Sequence, residues 1–338
     1  MSKIKFLIVT ALMIFTVALT GCGTSDSGGK STVAICFPNT TPSWQRNSSA
    51  LQEQLTADGF NVEIQSSSTI EEQQKQIKET LQHKPNCMVI GAIDSAALVD
   101  VLEDAKNYNV PIIAFDRIIL NTDAVSYYAS FDNDAIGEAQ GLYFEAAMNL
   151  RNGGGPYNIE FFAGGPADNN AHIFFDKVME ILNPYIKSGQ LVCRSGQTDF
   201  NSAAVKDWNS ENARPRIREI LTKYYSGGET LHAILAPNDD IAGVILEEIQ
   251  KAGRPAPLIS GLDGDPKAYE RIKNGLQTFT VAKDPDVLTA KCFRMVKAVV
   301  EGVQPDINDV TTYNNGVKIV PAYLCTPQIV DKTNVNDF

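Results

Sequence analysis

The sequence predicts an α/β protein built as two similar lobes, each a parallel sheet flanked by helices. Three observations predict it. Short apolar runs of strand type alternate with longer runs of helical period, and the connections between them are short. The same rhythm starts again beyond "SFDND" (130–134). Short strand–helix–strand connections call for parallel pairing with right-handed crossovers and helices on both faces. A chain of 338 residues has room for about two such domains.

The first half carries the alternation most openly. "TVAICF" (32–37) reads as a buried strand, and "WQRNSSALQEQLTADG" (44–59) as a helix with Leu51 and Leu55 on one face and Gly59 as its stop. "NVEIQS" (61–66) is a strand. "STIEEQQKQIKETLQHKP" (68–85) is a helix with a Thr69-to-Glu72 capping box and Ile70, Ile77 and Leu81 on one side. "CMVIGAID" (87–94) is a strand, "SAALVDVLEDAKNYN" (95–109) a helix, and "PIIAFD" (111–116) a strand. In the second half "NIEFFAG" (158–164), "LVCRSG" (191–196), "HAILAP" (232–237), "PLISGLD" (257–263) and "QTFTVAKD" (277–284) read as strands. Helical patterns such as "IAGVILEEIQKAGR" and "LTAKCFRMVKAVVEG" lie between and after them.

The N-terminus stands apart. Lys3 and Lys5 precede the apolar run "FLIVTALMIFTVAL", the plan of a secretion signal over 1–21. "LTGC" resembles the bacterial lipoprotein cleavage box, which implies lipid on Cys22; more than one acyl chain gives stable anchoring. The polar residues up to 31 form a flexible tether. Of the remaining cysteines, Cys36, Cys87, Cys193, Cys292 and Cys325 form no CxxC pair, and their odd number argues against a disulfide framework. No histidine or cysteine spacing suits a metal, and no cofactor motif is present. A net charge of −11 with no basic stripe disfavours nucleic acid.

In parallel α/β sheets ligands bind beyond the carboxyl ends of the strands. Those ends carry Asn39, Asp94, Asp116, Arg117, Asn169, Asn170, Asn238, Asp239, Asp263 and Lys283, and the only two tryptophans, Trp44 and Trp208, stand in the same loops. Adjacent Asp116 and Arg117 are the hardest to explain otherwise, because they close an apolar run, where charge is costly unless paired or bound. The collection suits a sugar: carboxylates accept from hydroxyls, Arg and Lys donate to them, Asn does both, and an aromatic ring covers the C–H face. A micromolar Kd corresponds to about −8 kcal/mol, and a charged hydrogen bond nets about 1.5–3 kcal/mol. Several such bonds are therefore needed. Individual members have plainer readings: Asp94, Asn169 and Asp239 as helix caps, Asp263 as a turn residue, Trp44 as a helix staple.

The segments "AFDRIILNTDAVSYYASFDNDAIGEAQG", "GGPADNNAHIFFD", "LNPYIKSGQLV", "SGLDGD" and "YNNGVKIVPAYLCTP" resemble periplasmic sugar-binding proteins of ABC transporters, nearest the xylose-binding and multiple sugar-binding branch, kin to the galactose/glucose-binding proteins. The resemblance covers about residues 31–330. It implies a type I periplasmic-binding-protein fold: two Rossmann-like lobes joined by a three-stranded hinge and closing on one monosaccharide. The implied N-terminal lobe is 32–131 plus about 284–312, and the C-terminal lobe about 132–283 plus 313–338. By motif, the implied ligand contacts are Trp44, Asp116, Arg117, Asn170, Trp208, Asn238, Asp263 and Lys283, with Asn169 less well matched. Asp116 and Arg117 are expected to bond neighbouring sugar hydroxyls and to compensate one another in part. Relatives often carry Arg where this chain has Ser43, and Gln where it has Leu262, and these departures bear on which sugar is taken.

The expected function is therefore a lipid-anchored, extracytoplasmic solute-binding protein, not an enzyme. It would capture an aldose such as xylose, arabinose, galactose or glucose and deliver it, as a monomer, to an ABC permease and its ATPase. A sensing role, presenting the closed form to a chemoreceptor or sensor kinase, uses the same surfaces and stays open. A sugar-responsive transcription regulator would need an N-terminal helix-turn-helix and a basic face; the export signal stands there instead. An enzyme is disfavoured by the absence of GxSxG, P-loop, strand-borne GxGxxG and metal motifs.

Overall fold

The computed structural model describes residues 30–338. The expected signal segment, Cys22 and most of the tether lie outside the described residues. No helix among the described residues is long and apolar enough to cross a membrane.

The chain first lays down β1 (Thr32–Pro38), α1 (Pro42–Ala57), β2 (Asn61–Ser67), α2 (Ile70–Gln82), β3 (Cys87–Ile90), α3 (Val99–Tyr108), β4 (Ile112–Phe115) and β5 (Val125–Phe131). β1, β3 and β4 are buried along nearly their whole length, which is why they read as unbroken apolar runs. Helix signals act as expected. Thr69 Oγ1 accepts from the Glu72 N–H at 3.2 Å, but Glu72 returns its carboxylate to the Ser68 N–H at 2.7 Å, one residue earlier than a strict capping box. α1 ends at Ala57 and the chain leaves through Gly59 at φ +97°, a left-handed turn that glycine makes without strain. α3 starts at Val99, four residues later than its periodicity suggests, because Asp94 turns its carboxylate back on the Ala96 N–H and holds the chain in a turn.

The second lobe follows with α4 (Asn133–Ala147), β6 (Tyr157–Phe161), α5 (Asn169–Lys187), β7 (Leu191–Val192), α6 (Phe200–Ala203), α7 (Ala213–Tyr224), β8 (Ala233–Leu235), α8 (Asp239–Lys251), β9 (Leu258–Ile259), β10 (Leu262–Asp263), α9 (Pro266–Lys273) and β11 (Phe279–Ala282). The chain ends with α10 (Pro285–Val300), β12 (Ala322–Cys325) and β13 (Gln328–Asp331). The sheets run β12-β5-β4-β3-β1-β2 in the first lobe, and β7-β6-β8-β9 and β10-β11-β13 in the second. All pairings in the six-stranded sheet are parallel, and β11–β13 is the antiparallel exception. "PLISGLD" is two short strands rather than one. The break falls at Ser260–Gly261, where a Cβ on Gly261 would lie 1.9 Å from the Asp239 carboxylate.

The lobe boundaries differ from the expectation at one place. Residues 313–325 were assigned to the second lobe, yet β12 pairs with β5 of the first, and Asn315 donates to the carbonyls of Ile119 and Thr122. Only β13 joins the second-lobe sheet. α10 packs on α1 and β3 of the first lobe. The chain thus passes between the lobes three times, at 131–133, 282–285 and 325–328, and these crossings are the hinge.

Candidate functional site between the lobes

The end of β4 is bent sharply to present Asp116 and Arg117. Asp116 has φ +60°, and the Arg117 N–H donates to the Phe115 carbonyl at 2.7 Å, closing a tight three-residue turn. A non-glycine residue in this conformation is strained. The surroundings hold it: the Asp116 N–H donates to the Ala129 carbonyl at 2.8 Å. The Asp116 carbonyl accepts from Tyr128 Oη at 2.6 Å, Ser130 Oγ at 2.8 Å and Asn170 Nδ2 at 2.7 Å. Backbone strain at a cavity wall, fixed by three side chains, is the signature of a positioned group.

The two charges are not each other's partners, as the sequence reading supposed. Asp116 Oδ1 lies 2.7 Å from Lys283 Nζ, which comes from the end of β11 in the other lobe. Arg117 Nε lies 2.9 Å from Asp168 Oδ2, its Nη1 donates to the carbonyls of Ala92 (3.1 Å) and Ile93 (2.9 Å), and its guanidinium lies 5.5 Å from the Trp44 ring centre. The γ-turn separates the two side chains and turns each towards a different wall.

Asp168 escaped the sequence reading, since it looks like an ordinary cap: its Oδ1 accepts from the Asn170 N–H at 3.0 Å at the start of α5. Its other oxygen serves the site, meeting Arg117 and accepting from Trp208 Nε1 at 3.2 Å. Trp208 and the preceding Asp207 both have left-handed backbones, at φ +56° and +59°. The indole lies against Gly164 and Gly165 at the end of β6, where added Cβ atoms would stand 2.4 Å and 2.7 Å from the ring. Trp44, by contrast, is buried against Phe37 and Phe115.

Asn238 caps α8 through Oδ1, which accepts from the Ile241 N–H at 3.0 Å, and its Nδ2 has no protein partner among the described residues. Asp263, the last residue of β10, sits at φ +98°. Burial pushes its carboxyl up to about 6, with Lys283 pulling the other way. Burial opposes the charge on Lys283, yet Asp116 and Asp263 outweigh it and hold the ammonium above its ordinary value.

These groups line one cavity between the lobes. Eight residues singled out in the sequence line it: Trp44, Asp116, Arg117, Asn170, Trp208, Asn238, Asp263 and Lys283. Four others do not. Asn39 accepts from Ser68 Oγ, Asp94 makes its turn, and Asn169 lines a separate groove beside Lys177. Asp239 is fully buried and accepts from the N–H groups of Gly264 and Asp265, from Gln277 Nε2 and from Thr280 Oγ1, tying α8 to β10 and β11. Its neighbour Asn238 is the cap, so the cap reading of Asp239 was off by one residue. The lining also includes Arg46, Asn47, Phe131, Asn133, Asp240 and Asp265, which sequence reasoning did not single out. Arg46 and Asn47 fall inside a helical pattern and carried no signal. The lining holds two more carboxylates than cations, which disfavours an anionic ligand.

A family profile described as periplasmic binding protein domain matches residues 33–304. The chain belongs to the periplasmic binding protein family. It is 36% identical over 312 residues to the multiple sugar-binding periplasmic receptor ChvE of Rhizobium radiobacter, covering 90% of this chain and 88% of that protein. It is 31% identical over 296 residues to the D-xylose-binding periplasmic protein of Escherichia coli, covering 87% and 84%. Among solved structures, an ABC transporter solute-binding protein of Clostridium phytofermentans with bound β-D-glucose superposes with a TM-score of 0.88 at 35% identity, over 90% of this chain and 95% of that one. A carbohydrate transporter solute-binding protein of Chloroflexus aurantiacus in complex with D-glucose gives 0.83 at 26%, over 91% and 95%. In this periplasmic binding protein, the cavity lies where three hinge crossings let two lobes meet.

Proposed function

We propose that the protein is an extracytoplasmic sugar-binding protein that captures one monosaccharide in the interlobe cavity and hands it to an ABC transporter permease. The observation that carries this reading is the ring of Asp116, Arg117, Asp168, Asp263 and Lys283, drawn from both lobes and lining the cavity beside Trp208. Such a ring offers acceptors and donors to a polyol from both sides, so ligand binding and lobe closure assist each other. The names of the relatives point the same way. The ligand class is a neutral aldose, glucose and xylose foremost. Nothing in the cavity calls for bond making or breaking, and the protein binds rather than converts. The proposed anchor is lipid on Cys22, following the "LTGC" box.

The test is calorimetric titration of residues 31–338 with glucose, xylose, galactose, arabinose and ribose, with the sugars recovered and checked for chemical change. Micromolar or tighter binding of at least one aldose, recovered unaltered, supports the reading. Absence of binding across the panel, or an Asp116→Ala variant that binds as tightly as the parent, sinks it. Loss of membrane association in Cys22→Ser cells tests the anchor separately.

A further inference from the structure

Trp208 sits on a stretch of chain with little regular structure. Between β7 and α7, residues 193–212 hold only the four-residue helix α6 and two short 3₁₀ turns. The left-handed backbones at Asp207 and Trp208 persist only where neighbouring groups hold them. Two ions behind this loop supply that support. Glu160 of β6 is fully buried. Its carboxylate accepts from the Ser195 N–H at 3.2 Å, Ser195 Oγ at 2.5 Å, the Tyr225 hydroxyl at 2.9 Å and the Cys193 thiol at 3.5 Å. Arg216 of α7 donates from Nε (2.8 Å) and Nη2 (2.6 Å) to Gln197 Oε1, from Nη2 to the Phe161 carbonyl (2.8 Å) and from Nη1 to the Ala203 carbonyl (3.4 Å). Its guanidinium lies 4.1 Å from the Phe162 ring centre. Burial pulls this guanidinium down to about 10, with the charge of Glu160 pulling the other way. Buried charges are ordinarily paired with one another. These two instead give their hydrogen bonds to neutral groups, most of them in residues 193–203. From there a backbone ladder leads to the indole. The Ala163 N–H donates to the Ala203 carbonyl at 2.8 Å, the Val205 N–H to the Ala163 carbonyl at 3.0 Å, and the Trp208 N–H to the Val205 carbonyl at 3.3 Å.

We propose that Glu160 and Arg216 are positioning residues for Trp208. Neither lines the cavity. Their hydrogen bonds fix the loop at Ser195, Gln197 and Ala203, and the ladder through Ala163 and Val205 carries that placement on to Trp208. The indole then stands against Gly164 and Gly165 before a ligand arrives. This rests on the sugar-binding reading above, in which Trp208 covers a C–H face of the sugar. A ligand that must order its own stacking partner binds less tightly, and a supporting layer of contacts removes that cost. Hydrogen bonds to ions suit the task because they are strong and directional. An apolar pair of similar volume would serve stability as well or better. Placement of the loop is therefore what the two ions explain and bulk stability does not.

The experiment is a double-mutant cycle. The parent, Arg216→Met, Trp208→Ala and the double variant are titrated calorimetrically with D-glucose and D-xylose, up to millimolar sugar where binding is weak, with thermal melts confirming folding. Arg216→Met should weaken binding about 10-fold in the parent and less than about twofold in Trp208→Ala, where no indole is left to place. Gln197→Ala removes the acceptor of Arg216 and keeps both ions; it should repeat the pattern, and it stands in for Arg216→Met if that variant does not fold. A second arm needs no ligand. With Trp44→Phe, Trp208 is the sole tryptophan, and adding Arg216→Met should raise its quenching by acrylamide about twofold, which a loss of stability in a folded protein does not do. Equal losses in both backgrounds, or unchanged quenching, overturns the positioning role and leaves sugar binding in place. A Trp208→Ala variant that binds as tightly as the parent overturns it as well. A parent that binds neither sugar overturns the functional reading and the positioning role with it.

Discussion

Replacing Lys283 by Met removes the cation that joins the lobes at the cavity floor while keeping the length of the side chain. Lys283 Nζ stands 2.7 Å from Asp116 Oδ1, with both side chains 16% exposed. Two unit charges at that distance attract by about 6 kcal/mol at an effective dielectric constant of 20. Desolvation of both ions cancels much of this, and breaking a fully buried pair costs about 3–5 kcal/mol. With residual exposure the loss of stability should be about 2–3 kcal/mol, much of it from leaving Asp116 and Asp263 facing one another with no cation between them. In the proposed function the ammonium is also a donor for a ligand hydroxyl, and losing a charged hydrogen bond would cost about 1.5–3 kcal/mol, or about 10- to 150-fold in Kd. The assays are urea unfolding without ligand and calorimetry with the best-bound aldose. A variant whose unfolding midpoint and Kd both lie within error of the parent's would refute the argument. A destabilised variant with unchanged Kd would show that Lys283 joins the lobes without touching the ligand.

Asp263 should make affinity and stability respond to pH in opposite directions. Its folded-state value of about 6 lies above its ordinary 3.8. Its contribution to stability is therefore fully present below about pH 3.8 and is lost as pH rises through 6, whereas the charge that strengthens a hydrogen bond accepted from a sugar hydroxyl is lost as pH falls through 6. Calorimetry from pH 5 to 8 should show weakening at the acid end that disappears in Asp263→Asn; an unchanged profile in that variant counts against the assignment. Asp239→Asn should lower stability by about 2–3 kcal/mol, because an amide N–H₂ would face N–H and O–H donors, yet leave Kd within about twofold; a large loss of affinity at unchanged stability would return Asp239 to the binding site. In Gly91→Ala, the new Cβ would fall 2.4 Å from the Trp44 ring. The overpacking should cost about 1–3 kcal/mol and shift tryptophan fluorescence, and an unchanged spectrum and midpoint would contradict the packing.

The sequence determined which segments become strands and helices wherever burial is one-sided or complete. β1, β3, β4, β8 and β11 announced themselves because strands covered on both faces must be apolar throughout, and α2 and α8 because their periodicity and first-turn residues agree. It also placed the cavity-lining residues at strand ends, since parallel topology leaves charged residues there with no structural reason to follow an apolar run. β5, β12 and β13 were not legible: "VSYYASF" mixes polar and aromatic residues, β12 and β13 are only partly buried, and nothing local says that β12 crosses back to the first lobe. Pairing was the other blind spot. Asp116 and Arg117 are neighbours in the chain, so the sequence suggested that they neutralise one another. Only the tertiary structure decided that a strained turn splits them, sending one to Lys283, 167 residues away, and the other to Asp168. The reason is physical: residue type is fixed by burial and periodicity, which are local, whereas the partner of a charge is fixed by which distant element the fold brings within hydrogen-bonding distance.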